Sequence, residues 1–175
     1  MFSLRGIPMR LVYSALLLAA LAGCAAQPRS LSAGMTGDEV SAALGKPAAT
    51  GRLASGEEYW DFSKQPFGYS IDRVTFAADG RVREVRNLLT ENNFKNLQAG
   101  MTPGQVVAIV GPSPASEQRA YAGGTKSWRY RYRDLEVIKL LHVIFGPDDR
   151  LQTHYTEWDP RVYSKGGSGR DSGGK

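Results

Sequence analysis

Cysteine and histidine are scarce in this chain of 175 residues, which contains one cysteine, Cys24, and two histidines, His142 and His154. A single cysteine cannot form an intramolecular disulfide, so the sequence excludes a disulfide framework. It also excludes zinc clusters and iron–sulfur sites, which need several thiolates. Two histidines exclude a three-histidine metal site. We therefore expect neither a metal nor a cofactor.

An excess of charge of one sign is lacking in the body of the chain. The formal net charge is +5, but residues 1–23 carry +2 of it and residues 161–175 carry +3. Residues 24–160 hold 16 basic and 16 acidic side chains. A broad cationic groove for nucleic acid is therefore not expected.

A catalytic set is also missing from the pattern. His142 alternates with Leu140 and Ile144 along a predicted strand, and His154 lies on the next predicted strand. Nucleophilic catalysis needs a base that is paired with a nucleophile and oriented by an acid. The sequence offers no such combination, so we expect structural or solvated histidines and predict no enzyme activity.

The amino terminus is typical of a secretory address rather than of a membrane-spanning helix. Arg5 and Arg10 flank the start of the segment, and the apolar run 11–20 is too short to span a bilayer comfortably. Leu-Ala-Gly-Cys follows at residues 21–24 and resembles the lipobox of bacterial lipoprotein signals. This resemblance implies that residues 1–23 are a signal peptide and that Cys24 carries acyl groups such as palmitate. The alternative is that Cys24 is a buried free cysteine.

The lipoprotein resemblance also implies a location. Each buried CH₂ of an acyl chain contributes about 0.8 kcal/mol, so several chains on Cys24 would anchor the protein firmly through the tether 24–30. Lipoproteins that stay in the inner membrane usually have Asp after the cysteine, and this chain has Ala25. We therefore expect a lipid-anchored protein at the outer membrane, with its body in the periplasm.

An internal repeat dominates the rest of the sequence. Residues 31–45 align with residues 97–111 at an offset of 66, and eight of the fifteen positions are identical. Average residue usage gives about one match by chance. The correspondence continues with small insertions, at an offset of 68 from Trp60 to Trp128 and of 69 from Val74 to Val143. The two segments are copies of one unit.

Each copy begins with the signature of a short helix. Thr36 with Glu39, and Thr102 with Gln105, have the spacing of a capping box, in which two side chains satisfy backbone donors reciprocally. Both helices are predicted to end at glycine, and prolines follow. The apolar face of such a short helix needs a sheet to cover.

Period-two patterns predict three strands after each helix. They cover residues 57–63, 70–77 and 81–88 in the first copy, and residues 127–133, 136–145 and 150–158 in the second copy. The predicted fold class is α+β: two tandem modules, each a short N-terminal helical segment packed on a three-stranded antiparallel sheet. The repeats span residues 31–90 and 91–160, residues 90–96 connect them with a further helical turn, and residues 161–175 form a disordered Gly/Ser/basic tail. A unit of about 60 residues is marginal alone, so we expect the copies to pack on each other.

The succession of lipobox, Leu-x-x-Gly-Met-Thr-x-x-x-Val, aromatic strand and Val-x-Phe-x-x-Asp-Gly resembles the BamE (SmpA/OmlA) lipoproteins of the outer-membrane assembly machine. The resemblance covers nearly all of residues 31–160, twice. It implies the helix-and-sheet fold, which β-lactamase-inhibitor proteins share, and the outer-membrane assembly complex as a partner. Typical family members have one such unit, and the segment that they use for contacts after the last strand is not found here.

One predicted strand combines aromatic and basic residues in alternation. Its aromatic side chains would face the core, and its arginines would face the opposite way. The row of Arg129, Arg131 and Arg133, together with Arg81 and Arg83, is the candidate binding surface for an acidic partner or lipid headgroups. The alternative is a solvated polar face behind an aromatic core.

Two hypotheses for the function follow. The first is a non-enzymatic accessory of outer-membrane protein assembly or envelope integrity, which acts through protein–protein contacts. The second is an inhibitor-like or ligand-binding module that holds another periplasmic protein or enzyme.

Overall fold

The computed structural model describes residues 31–163. The predicted signal peptide, Cys24 with its tether, and residues 164–175 of the predicted tail lie outside the described part. The described chain is α+β and contains two antiparallel four-stranded sheets, each with its strands in sequential order. Both sheets belong to one compact unit.

The elements of the two repeats follow the same order. In the first repeat they are α1 (Gly37–Leu44), β1 (Ala49–Arg52), β2 (Glu58–Ser63), β3 (Ile71–Phe76) and β4 (Val82–Asn87), and α2 (Glu91–Phe94) follows in the connector. In the second repeat they are α3 (Pro103–Val110), β5 (Gln118–Ala120), β6 (Lys126–Asp134), β7 (Val137–Phe145), β8 (Leu151–Trp158) and α4 (Pro160–Tyr163). Short 3₁₀ turns at Ala115–Glu117 and Ala122–Gly124 flank β5. Among residues 31–163, no helix has both the length and the apolar character needed to cross a membrane.

Both predicted capping boxes are confirmed. The backbone N–H of Thr36 donates to Glu39 Oε2 at 2.9 Å, and that of Thr102 donates to Gln105 Oε1 at 2.8 Å. Each threonine hydroxyl in turn accepts a hydrogen bond from the backbone N–H three residues later. Local chemistry alone therefore places the start of α1 and α3.

The prediction of three strands in each sheet is wrong, because each sheet has a fourth. All six predicted strands are present, with bounds within one residue of those expected. The additional strands β1 and β5 are short edge strands that pair antiparallel with β2 and β6. Their sequences, Ala-Thr-Gly-Arg and Gln-Arg-Ala, carry no apolar alternation, since an edge strand is held by backbone hydrogen bonds rather than by side-chain burial.

The helical turn predicted in the connector is confirmed as α2. The predicted tail, in contrast, does not start at residue 161, because α4 continues to Tyr163. Asp159 explains this difference, since its carboxylate accepts hydrogen bonds from the backbone N–H and the guanidinium of Arg161 at 3.0 Å each.

The copies pack on each other, as expected from their size. A large apolar cluster combines Ile71, Leu88 and Leu89 of the first repeat with the inward face of the second sheet and with Val106 and Val110 of α3. A smaller cluster around Val40 lies between α1 and the first sheet. Helix α3 therefore shares a core with its own sheet and with part of the first repeat.

A buried ion pair joins the first sheet to α3. Arg73 and Asp61 are cross-strand neighbours, both fully buried, and their side chains meet at 2.7 and 2.8 Å. The same guanidinium donates to the carbonyl of Ala108 at 2.6 Å and of Val107 at 3.4 Å, and lies 3.9 Å from the Tyr59 ring. Both carbonyls belong to the last turn of α3; the Val107 carbonyl also accepts from the backbone N–H of Gly111, whereas that of Ala108 lies past the last intrahelical donor. The first sheet thus caps the helix of the second repeat.

A second joint connects the loop between β2 and β3 to the second sheet. The side-chain amide of Gln65 donates to the carbonyl of Arg131 at 2.6 Å and accepts from its N–H at 2.9 Å. Strand β5 pairs only with Lys126–Trp128 of β6, so Arg131 lies beyond its reach. The side-chain amide of Gln65 therefore pairs with the backbone of Arg131 in the way that a residue of a neighbouring strand would, with one donor and one acceptor.

Candidate functional site

The outer face of the second sheet is the face opposite the large apolar cluster, and strand β6 defines it. Tyr130 and Tyr132 are fully buried in that cluster, and Trp128 packs against it. Arg129, Arg131 and Arg133 therefore point the other way, as their alternation predicts. This outer face is the candidate functional site.

The arginines on this face are not equivalent. Arg129 forms an ion pair with Glu117, which the 3₁₀ turn before β5 presents. Arg131 Nε lies 2.7 Å from the buried Asp159 Oδ2, and most of its side chain is covered. The Arg133 guanidinium lies 4.7 Å from the Tyr69 ring, and its residue is exposed. Arg129 and Arg133 can meet a partner, whereas Arg131 supports the structure.

Asp159 fixes the carboxyl end of this face. Burial opposes ionisation of its carboxylate, but the hydrogen bonds from Arg161 and Arg131 outweigh burial and hold the pKa of Asp159 below its ordinary value of 3.8. The same pairing raises the pKa of Arg161. A carboxylate that stays charged without exposure is a structural anchor for α4, not a contact for a ligand.

A shallow cleft of about 350 Å³ lies beside Arg129. His142 pairs across the strands with Arg129, its Nε2 lies 2.9 Å from Glu157 Oε1, and its ring stacks on Tyr155 at 4.8 Å. The cleft is lined by Glu117, Arg119, Tyr121, Ser127, Arg129 and His142. Two guanidinium groups, an imidazole and an aromatic ring can hold a carboxylate or another planar polar group.

The other two predicted binding residues, Arg81 and Arg83, do not extend this surface, because Arg83 lies on β4 of the first sheet and Arg81 immediately precedes β4. Arg81 donates to the carbonyl of Gly34 at 2.9 Å, and its counterpart Arg150 donates to Gly100 at 3.2 Å. The repetition of this contact in both copies assigns Arg81 to the turn that precedes the helix. Arg83 forms an ion pair with Glu57.

A polar cluster on the inward side links the connector to the second sheet. The hydroxyl of Tyr132 donates to Glu91 Oε1 at 2.6 Å, and the Lys139 ammonium lies 2.9 Å from the same oxygen and 2.7 Å from Asp134 Oδ2. The hydrogen bond from Tyr132, supported by Lys139, lowers the pKa of Glu91 despite its partial burial. Burial, together with that hydrogen bond, raises the pKa of Tyr132. This cluster holds α2 in place.

Several exposed aromatic residues near the carboxyl end were missed by the sequence reasoning. Tyr155, Trp158 and Tyr163 all expose more than a third of their surface, and the rings of Trp158 and Tyr163 lie 5.6 Å apart. Alternation cannot separate them from core residues, because aromatic side chains in a strand usually indicate burial. The available signal was the counterpart of Trp158 in the first repeat, Leu89, which has a different chemical character.

Among residues 31–163, no group of three or more His, Cys, Asp or Glu side chains has the arrangement of a metal site. Cys24, the predicted lipidation residue, lies outside the described part of the chain. No family model, curated protein or solved structure matches this chain. The candidate site is therefore defined by its geometry alone.

Proposed function

We propose that this protein is a non-enzymatic lipoprotein that is anchored at the periplasmic face of the outer membrane through acylated Cys24. It acts as an accessory in outer-membrane protein assembly or envelope integrity, through contacts with other envelope proteins. The carrying observation is the lipobox at residues 21–24 followed by two Gly-Met-Thr repeats. This succession resembles the BamE (SmpA/OmlA) family.

The described contacts support this proposal at the level of the repeated unit. We take each capped helix, with the sheet that follows it, as one BamE-like unit. Thr36 and Thr102 cap the two helices in the same way, and Arg81 and Arg150 hold the two preceding turns in the same way. The helix caps and the arginine contacts that belong to the repeated sequence pattern are thus present in both copies.

The contact surface for the partner is the outer face of the second sheet. Arg133 is exposed there, the Arg129 side chain is 36% exposed, and the cleft beside Arg129 gives this face a concave surface. Arginine is suited to acidic protein surfaces because its planar guanidinium forms paired hydrogen bonds with carboxylates. A partner with clustered Asp or Glu side chains fits this face.

The test is an affinity pull-down of the tagged full-length protein after cross-linking in cells. We expect capture of the outer-membrane assembly barrel and its lipoproteins, and we expect the deletion strain to leak and to become sensitive to detergents and large antibiotics. The double variant Arg129→Gln/Arg133→Gln should lose the partner, whereas the control Lys95→Gln, at an exposed residue of the connector, should keep it. An intact barrier in the deletion strain, together with an empty pull-down, contradicts the proposal.

A second candidate function is favoured by the cleft. An inhibitor-like module would insert a carboxylate or a loop of a periplasmic enzyme between Arg119, Arg129 and His142. Purified protein would then inhibit a cell-wall enzyme at stoichiometric amounts, and the deletion strain would keep an intact outer membrane. Capture of such an enzyme in place of the assembly barrel would put this function first.

A further inference from the structure

The joint between the two repeats has two halves, and each half has a counterpart at an opposite end of the chain. In the joint, the end of α3 lies against the first sheet and the segment that follows it. Helix α1 is the counterpart of α3, and the end of the second sheet with α4 is the counterpart of the surface that receives α3. Among the described residues, neither counterpart meets the other.

The ends of α1 and α3 differ in how closely the first sheet or other residues cover them. A Cβ built on Gly111 would lie 2.7 Å from Ile71 Cγ2 and 3.3 Å from Leu88 Cδ1, so this glycine is pressed against the first sheet. A Cβ on its counterpart Gly45 meets nothing within 4 Å among the described residues. Val110 is fully buried, whereas its counterpart Leu44 is 38% exposed. We call Ala43, Leu44 and Gly45 the helix-end surface.

The receiving half shows the same difference in exposure between matched residues. Here the matched residues are 69 positions apart, as the strand pairings β3–β4 and β7–β8 require. Leu89 and Phe94 are 0% and 3% exposed beneath the second repeat, whereas their counterparts Trp158 and Tyr163 are 65% and 42% exposed. We call Trp158, Val162 and Tyr163 the C-terminal surface. The counterpart of Ile71, Leu140, is already buried, so the free part of this half lies at β8 and α4.

The polar contacts of the joint also have a counterpart. In the joint, Arg73 and Asn93 donate to the carbonyls of Ala108 and Ile109 at 2.6 and 2.7 Å. No side chain among residues 31–163 donates to the corresponding carbonyls of Ala42 and Ala43. The cross-strand pair Asp61–Arg73 corresponds to Arg129–His142, so a guanidinium is again present at that place, on the neighbouring strand.

We propose that the C-terminal surface binds the helix-end surface of a second copy of this chain, head to tail, in the manner in which the first repeat holds the second. The occupant is a second copy because the chain itself contains both halves of the interface, each uncovered among the described residues. An interface of this kind joins unlike surfaces, so it produces open chains or rings rather than two-fold dimers. The docked copy covers part of the outer face of the second sheet.

Cysteine cross-linking in the full-length protein tests this proposal. Ala43→Cys and Val162→Cys introduce thiols at two exposed positions whose counterparts, Ile109 and Asn93, are in direct contact in the joint. The chain has one native cysteine, Cys24, so the unaltered protein is the control for its reactivity. Cells that express the variants are treated with a short thiol-to-thiol cross-linker.

The expected pattern is specific to head-to-tail association. The double variant Ala43→Cys/Val162→Cys should give a ladder of dimer, trimer and larger species. Each single variant should give no product alone and a dimer when the two are co-expressed. Leu44→Asp, added to the double variant, should reduce the ladder about tenfold or more, because it places a charge in the apolar contact.

Four results would overturn the proposal. A single variant that links to itself indicates a two-fold dimer, which uses one surface twice. A product that contains a different protein in place of a second copy assigns the C-terminal surface to that protein. Absence of a ladder, or an equal ladder from the control pair Ala43→Cys/Leu135→Cys, removes the proposed contact, since Leu135 is highly exposed but lies at the β6–β7 turn. These outcomes do not depend on whether the assembly barrel is captured.

Discussion

The two repeats share a pattern of sequence but differ in how much of each is covered. The first sheet packs against α1 on one face, and its Arg73 on the other face contacts α3. The second sheet packs against α3 on its inward face, and its outer face carries the exposed Arg133 and Tyr155. Burial of a residue in one repeat therefore depends on whether the other repeat covers it, as well as on the residue's position in its own strand.

The clearest case is the pair of cross-strand positions at the centre of each outer face. In the first sheet they hold Asp61 and Arg73, buried and paired. In the second sheet they hold Arg129 and His142, each paired with a different carboxylate at the rim. The same location is a joint within the molecule in one copy and a candidate binding surface in the other.

The largest expected effect comes from breaking the buried pair. Arg73→Met leaves the Asp61 carboxylate buried without its partner and removes the cap from α3, so we expect a loss of about 3–5 kcal/mol in the free energy of unfolding. The matched change Arg129→Met leaves the mostly buried Glu117 carboxylate without its partner at a half-buried ion pair, so it should cost less, about 1–3 kcal/mol. Urea unfolding of both variants measures the difference, and equal losses would show that the two faces are energetically alike.

Two glycines sharpen the comparison of the helices. Gly45 and Gly111 have similar positive φ angles, 76° and 79°, so an alanine is strained equally at both. Only at Gly111 does the added methyl group meet the first sheet. We expect Gly111→Ala to cost about 1–3 kcal/mol more than Gly45→Ala, the usual cost of overpacking, in thermal or urea unfolding. Equal costs would mean that Ile71 and Leu88 shift to make room for the added methyl group at no cost in stability.

Two arginines of the row on β6 have different roles: Arg131 stabilises the fold, whereas Arg133 is exposed. Arg131→Gln removes charge-assisted hydrogen bonding to the buried Asp159 and should destabilise the protein by about 1.5–3 kcal/mol. Arg133→Gln should change stability by less than about 0.5 kcal/mol, because its side chain is exposed. Thermal unfolding compares the two. A smaller loss from Arg131→Gln than from Arg133→Gln would contradict the assignment of roles.

The pH dependence gives the smallest expected change. The pKa of Asp159 and of Glu91 is held below the ordinary values of 3.8 and 4.5. A carboxylate with a lowered folded-state pKa contributes stability above its ordinary pKa, and this contribution is lost as the pH falls through the folded-state value. We expect stability to fall below about pH 4.5, and we expect the fall to be shallower in Asp159→Asn than in the unaltered chain. A parallel pH profile in the variant would contradict this role.

The sequence predicts most elements of the fold because their causes are local. The capping boxes at Thr36 and Thr102 place the helices, and alternation places six strands. It misses β1 and β5, whose pairing rests on backbone groups that every sequence has. It also misses the burial of Arg73, because the covering helix comes from the other repeat.

The candidate site is predictable in part for the same reason. Alternation places Arg129, Arg131 and Arg133 on one face. It cannot reveal that Arg131 is paired with the buried Asp159, which lies 28 residues later along the chain. Exposure of Trp158 depends on the absence of a third repeat among the described residues, and no local pattern contains that information.

The amide of Gln65 has a consequence for solubility. A strand edge with free N–H and C=O groups is a template on which another chain can add a strand, and proteins usually cover it with a loop, a charge or a bulge. Here a single side chain, with the geometry of a peptide group, occupies the edge of β6 at Arg131. The loop that carries Gln65 belongs to the first repeat, so the first repeat protects the second from edge-to-edge aggregation for as long as the two stay together.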